Sequence, residues 1–225
     1  MSAPLSAVAA AVLYAAGLVL LFWVRSRRHK AATGSSGFNG FTRTPGAAAR
    51  VAGICFAVAV ALGLLAPILA AVQPAPYLTL PADAWPTGLG MWAGLLLAAA
   101  GFTTAVVAQN TMGASWRIGV DQAERTELVT SGVFARIRNP IFTAMVAAQA
   151  GTALMAPTWL SLTGVVLLIV GIELQVRCIE EPYLSRVHGI SYQTYAARAG
   201  RFLPGLGRLN SSTHQSPESN SQRHA

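Results

Sequence analysis

The placement of positive charge constrains this chain more than any other feature. Five apolar segments cover residues 6–24, 47–72, 88–109, 141–155 and 159–176. All sixteen lysines and arginines fall in alternate gaps around them. Arg25, Arg27, Arg28, Lys30, Arg43 and Arg50 separate the first segment from the body of the second. Arg117, Arg125, Arg136 and Arg138 lie between the third and fourth, and Arg177, Arg186, Arg198, Arg201, Arg208 and Arg223 close or follow the fifth. The Pro-rich stretch QPAPYLTLPADAWPTG, between segments two and three, has none. If each segment crosses a bilayer, every cation lies on one side, and the positive-inside rule puts the N-terminus outside and the C-terminus in the cytoplasm.

Composition agrees with the bilayer as solvent. Hydrophobic residues make up 53% of the 225 and charged residues 11%, against about 25% charged in a soluble domain. The net charge of +8 could suggest a nucleic-acid partner, but a soluble binder has no reason to sort its charges by alternate gaps. Cys55 and Cys178 show no metal or disulfide spacing and read as small core residues. The first segment lacks a basic flank before its apolar core and follows it with arginines, so it reads as a retained helix rather than a signal peptide.

The expected architecture is an all-α integral membrane protein with five transmembrane helices. The last two form a hairpin turning at Pro157, and a cytoplasmic amphipathic helix follows. Residues 1–109 hold three helices with a flexible basic linker at 31–46. Residues 110–208 form the region with chemical potential, and 209–225, nearly devoid of apolar residues, read as a disordered tail. The fourth segment, at 15 residues, is short of the roughly 20 needed for a full crossing.

Two regions carry more polar detail than an anchor needs. In ELVTSGVFARIRNPIF, Pro140 suits a first helical turn and Asn139 an N-cap. Ser131-Gly132 supplies a tight turn beside it, and such a helix start can cradle an anionic ligand group. In GIELQVRCIEEPYLSRVHGISYQTYAARAGRFLP, Glu173, Arg177 and Glu181 are spaced i, i+4 and i+8 on one helical stripe, with Glu180 beside the last. Ionisable groups near a membrane interface pair and mark function, although a satisfied pair capping a helix has the same spacing. No histidine accompanies them, so no metal is expected. Ser191 is a candidate N-cap for a short helix carrying Tyr192 and Tyr195 on one face and stopped by Pro204.

Taken in order, these motifs resemble the isoprenylcysteine carboxyl methyltransferase family and its wider phospholipid methyltransferase kin. Their pattern reads L-V-T-x-G-x-Y, R-H-P-x-Y, E-E-x-x-L, F-G-x-x-Y-x-x-Y and R-x-x-P, and the resemblance covers about residues 110–208. It implies a membrane enzyme that transfers a methyl group from S-adenosylmethionine, met from the cytosol, to a lipophilic acceptor reached through the bilayer. It further implies a cofactor pocket at Glu127, Leu128, Val129, Phe134, Arg138, Asn139, Pro140 and Phe142, covered by Tyr192, Tyr195 and Arg201. Arg177 and Glu181 match the family's Arg/Glu pair where the reacting groups meet, with Glu180 an alternative carboxylate. Asn139 stands for the usual histidine, Phe142 for a tyrosine and His188 for a phenylalanine. A carboxylate acceptor would need no base and could be held by Arg177, and this carboxyl O-methyl transfer is favoured; an amine would need Glu180 or Glu181 as base. Two rivals are a membrane reductase of the sterol-reductase type using a nicotinamide, and a non-catalytic membrane scaffold.

Overall fold

The computed structural model describes residues 2–34, 46–73, 88–113, 116 and 127–209. Residues 35–45 of the expected linker, 210–225 of the expected tail and most of 114–126 lie outside the described residues, while Ala31, Ala32 and Thr33, expected in the flexible linker, continue a helix. Among the described residues the fold is helical and has no strand. Helix α1 (Ala3–Leu18) runs through a π turn at Val19–Val24 into α2 (Arg25–Thr33). Helices α3 (Ala47–Val72) and α4 (Leu89–Met112) follow. After a 3₁₀ turn at Gly132–Ala135 come α5 (Pro140–Met155) and α6 (Trp159–Gln175). A second π turn, Val176–Glu180, leads into α7 (Glu181–His188), and α8 (Ile190–Arg198) ends the helical part.

The apolar runs become helices because a helix pairs its backbone groups within one segment, which a bilayer interior demands. Four continuous helices are long and apolar enough to cross a membrane: Ala3–Thr33, Ala47–Val72, Leu89–Met112 and Trp159–His188. The remaining apolar segment makes α5, with 16 residues. At 1.5 Å per residue that is about 24 Å, against a hydrocarbon thickness of roughly 30 Å. Pro140 occupies the first turn of α5. Thr158 Oγ1 accepts from the Ser161 amide at 3.0 Å and caps α6. Helix α8 begins one residue ahead of Ser191, because Gly189, at φ +52°, makes the break and takes the N-cap position itself.

Small residues set the helix spacing. A Cβ on Gly101 of α4 would lie 2.5 Å from the Ala148 nitrogen and 2.7 Å from the Ala144 oxygen of α5. Gly94 is equally close to the Gly151 carbonyl, at 2.6 Å. Backbones thus meet directly, which suits a solvent as apolar as the side chains, where van der Waals contact drives association. Polar cross-links add direction. Tyr14 Oη of α1 donates to Gln149 Oε1 of α5 at 3.0 Å, and Gln149 Nε2 donates to the Ala59 carbonyl of α3 at 3.0 Å. Gly63 leaves room for the tyrosine ring and Gly164 for the glutamine amide. Side chains such as Val12, Ile54 and Leu96 are exposed, on faces a bilayer would cover. Cys55 is half-buried, whereas Cys178, expected in the core, is exposed because it sits on the outer side of the second π turn.

Filling the α4–α5 contact should therefore cost stability. Gly101→Val is expected to destabilise the fold by about 1–3 kcal/mol through overpacking, read as a lower unfolding midpoint in detergent micelles. Val12→Leu, on an exposed face, should stay within about 0.5 kcal/mol of the parent.

Candidate active site

The second π turn decides which carboxylate faces inward. A π turn takes up roughly one extra residue, so the helix beyond it is rotated by about 100° from its α-helical position. Glu173 and Arg177 pair with each other, and their side chains are 37% and 55% exposed. Glu181, expected on the same stripe, is turned away from them. Its Oε1 accepts from Arg138 Nη2 at 2.6 Å and from Arg201 Nε at 2.8 Å, and its Oε2 accepts from Arg201 Nη2 at 2.8 Å. The expected Arg177–Glu181 partnership is thus replaced: two arginines from elsewhere in the sequence hold Glu181.

Arg138 is the centre of this knot, with its side chain 2% exposed. Besides Glu181, it donates through Nη1 to the carbonyls of Ala196 (2.9 Å) and Ala199 (2.7 Å) and through Nη2 to that of Gly207 (3.1 Å). The backbone beside it pairs with the segment after α8: Arg138 N–H donates to Gly200 O at 2.8 Å and Gly200 N–H to Arg136 O at 3.0 Å. Gly200 must be glycine, since a Cβ there would collide with the Leu203 carbonyl in the strap's own turn. Asn139 does occupy the N-cap of α5, yet its side chain makes no cap bond. Instead Nδ2 donates to Arg201 O at 3.1 Å, and Thr143 Oγ1 reaches Phe202 O at 2.8 Å. Residues 199–209 therefore form a strap tied along the start of α5.

Beside this knot lies a cavity of about 190 Å³. One buried water needs about 10–15 Å³, so a small molecule fits. Glu127, Leu128 and Val129 line it, with Phe134 from the 3₁₀ turn. Arg138, Asn139, Pro140 and Phe142 line it from the start of α5, and Glu180, Glu181, Tyr192 and Tyr195 from the C-terminal helices. Two residues named from the sequence are not brought to it. Arg177 is directed outward by the π turn, and Arg201 stands behind Glu181 rather than at the surface of the cavity. Glu180 enters the cavity with its Oε1 accepting from buried Gln175 Nε2 at 3.2 Å.

Other lining residues carry no motif. Phe22 comes from the first π turn, Phe56 from α3, Gln109 and Met112 from the end of α4, Met145 from α5, and Trp116 from the connection beyond α4. Inside long apolar runs, Phe22 and Phe56 are indistinguishable from lipid-facing aromatics. His188, which stands out in the sequence only by departing from a family pattern, also lines the cavity with Tyr183, Leu184 and Ile141.

The electrostatics follow from the knot. Hydrogen bonding to Glu181 raises the Arg201 guanidinium above its ordinary value. Burial raises Tyr192 well above the usual phenol range and pushes Tyr195 up to about 12. Tyr195 Oη donates to the Phe134 carbonyl at 2.7 Å, and its ring meets Tyr192 edge to face at 6.3 Å. The walls thus combine carboxylates, aromatic faces and apolar side chains, a set that complements a cationic ligand with a flat base and an apolar partner.

Residues 89–191, a little under half of the chain, match the family model described as phospholipid methyltransferase. This region is similar to the membrane methyltransferase group that the isoprenylcysteine and phospholipid enzymes share. Comparisons with curated proteins and with solved structures gave no match.

Two outcomes test the site's construction. Arg138→Ala leaves Glu181 with Arg201 alone and three backbone carbonyls without their donor, and should cost about 3–5 kcal/mol, with faster hydrogen exchange across 199–209. Arg177→Ala removes an exposed pair and should cost no more than about 1 kcal/mol. Tyr195 behaves as a group whose folded pKa is raised. Its contribution is complete below the phenol's unfolded value near ~10, and is lost as pH rises through about 12. Unfolding midpoints from pH 6 to 9 should therefore respond equally in the parent and in Tyr195→Phe, with the variant less stable by about 0.5–1.5 kcal/mol throughout.

Proposed function

We propose that this membrane methyltransferase uses S-adenosylmethionine and acts on a lipophilic acceptor at the cytoplasmic leaflet. The observation that carries the reading is the mixed character of one cavity. Carboxylates and aromatic rings share its lining with Phe22, Phe56 and Met145, which pack as one apolar cluster with Phe142. The cation sorting along the sequence favours an orientation with these carboxylates on the cytoplasmic side, and with α5 as a short fifth crossing paired to α6.

The residues present fit the cofactor. When bound, it would supply a methyl group on a cationic sulfur. Glu127 suits its ammonium or hydroxyl donors, and Phe134, Phe142, Tyr192 and Tyr195 offer faces for its base. Holding donor and acceptor in line while excluding water is the main contribution of the protein, worth about 7–11 kcal/mol in favourable cases.

The acceptor reading shifts with Arg177. A carboxylate acceptor would lean on that guanidinium, which lies outside the cavity. Both terminal nitrogens of Arg138 are committed to Glu181 and to backbone carbonyls. Of the Arg138 guanidinium only Nε is left without a partner, which offers no two-pronged contact to a carboxylate, so a lipid amine fits the walls better. An ammonium must lose a proton before its lone pair can attack. Glu181 already accepts three hydrogen bonds from arginines, so Glu180 is the carboxylate placed to take that proton. Glu181 acts as a positioning residue.

Purified protein in lipid nanodiscs should bind S-adenosylmethionine in calorimetry and show no binding of a nicotinamide dinucleotide. Labelled methyl should enter the lipid fraction of a supplied extract containing phosphatidylethanolamine. Glu180→Gln should lower transfer at least tenfold, whereas Arg177→Ala should keep it within threefold. Preferential binding of the nicotinamide would replace this reading with the reductase, and binding of neither would leave the scaffold.

A further inference from the structure

We infer that the amino-terminal helix supplies two positioning residues, Arg25 and His29, which fix Trp116 as the wall that receives the apolar part of the acceptor; this rests on the methyl-transfer reading above. Trp116 is 2% exposed and lines the cavity, yet it belongs to a connection rather than to a helix. A side chain so placed is fixed by what packs on it, and two groups of α2 do so. The Arg25 guanidinium carbon stands 4.9 Å from the indole centroid, in cation–π contact. From the same side chain, Nη2 donates to the Gly113 carbonyl at the end of α4 at 2.6 Å. His29, buried, meets the indole edge to face with centroids 5.6 Å apart. Arg25 and His29 are four residues apart and share one helical face, so a single face of α2 clamps the indole and the turn that carries it.

The clamp is anchored to the membrane part of the fold. Gln109 Nε2 of α4 donates to the Leu21 carbonyl at 3.1 Å, within the first π turn. The same turn sends Phe22 into the cavity. Phe22, Met112 and Trp116 contribute uncharged lining, whereas Arg138, Glu180 and Glu181 contribute charged lining. A charged cofactor belongs at the second, which leaves the first for hydrocarbon. Phe22, Arg25 and His29 precede the residues that match the family model, whereas Met112 and Trp116 lie within them, so it is the clamp on this lining that the amino-terminal helix supplies.

The test uses the full chain in nanodiscs with Trp116→Ala, Arg25→Ala and Arg25→Lys. Three quantities are read: Kd for S-adenosylmethionine, KM for the lipid fraction that takes label, and hydrogen exchange over 113–130. Trp116→Ala and Arg25→Ala should raise the acceptor KM at least fivefold and leave the cofactor Kd within twofold. Arg25→Lys, which keeps a cation for the indole face, should recover at least half of that loss. Arg25→Ala should also speed exchange over 113–130. A cofactor Kd that rises in step with the acceptor KM, or a KM that does not move, overturns the inference. Should the parent bind no cofactor, the methyl-transfer reading fails by itself, and exchange alone then judges the clamp: faster exchange in Arg25→Ala upholds it, and unchanged exchange overturns it.

Discussion

The ion-pair knot of Arg138, Glu181 and Arg201 is the constraint on which the rest of the site depends. It joins three segments that are far apart in sequence: the start of α5, the start of α7 and the strap after α8. Each charge taken from water here costs several kcal/mol, and only good geometry with further hydrogen bonds offsets that. Arg138 supplies them by donating to three backbone carbonyls of α8 and the strap. The knot therefore specifies where the strap lies as much as it stabilises it. It also commits the Glu181 carboxylate to guanidinium donors.

Helix packing delivers the three segments to that point. Gly94, Gly101 and Gly151 bring α4 and α5 into backbone contact, and Gln149 ties α5 to α1 and α3. The first turn of α5, with Arg138 just before it, is thereby held against the ends of α1 and α4. The cavity there takes lining from the helix ends and from the apolar helices alike, with Arg138 and Glu181 from the first group and Phe22, Phe56 and Met145 from the second.

Much of the fold was legible in the sequence, and physics explains which part. Apolar runs are read directly, since composition over roughly 20 residues decides whether a segment suits a bilayer. Pro140 at a helix start and Gly189 as a break are local effects and were legible too. The π turns at Val19–Val24 and Val176–Glu180 were not. They arise from tertiary packing and carry no pattern in VLLFWV or VRCIE. An α-helical reading of residues 173–181 therefore puts Arg177 beside Glu181, and the extra residue of the π turn parts them. Asn139 shows the same limit: its position as N-cap was readable, but its side chain serves a strap 62 residues away. Phe22, Phe56 and Trp116 reach the cavity through long-range packing alone.

The two adjacent glutamates then acquire different duties from one backbone irregularity. In a regular helix, neighbours 180 and 181 would point about 100° apart, and whichever faced the protein would leave the other toward lipid or solvent. The π turn lets both line the cavity. Glu181 meets Arg138 and Arg201, while Glu180 lies at its side, steadied by Gln175 from the preceding turn. Two guanidiniums more than offset the charge of Glu181, whereas Glu180 meets the neutral amide of Gln175. That asymmetry, rather than the mere presence of a carboxylate pair, sets a structurally pinned carboxylate beside a second one on the cavity wall.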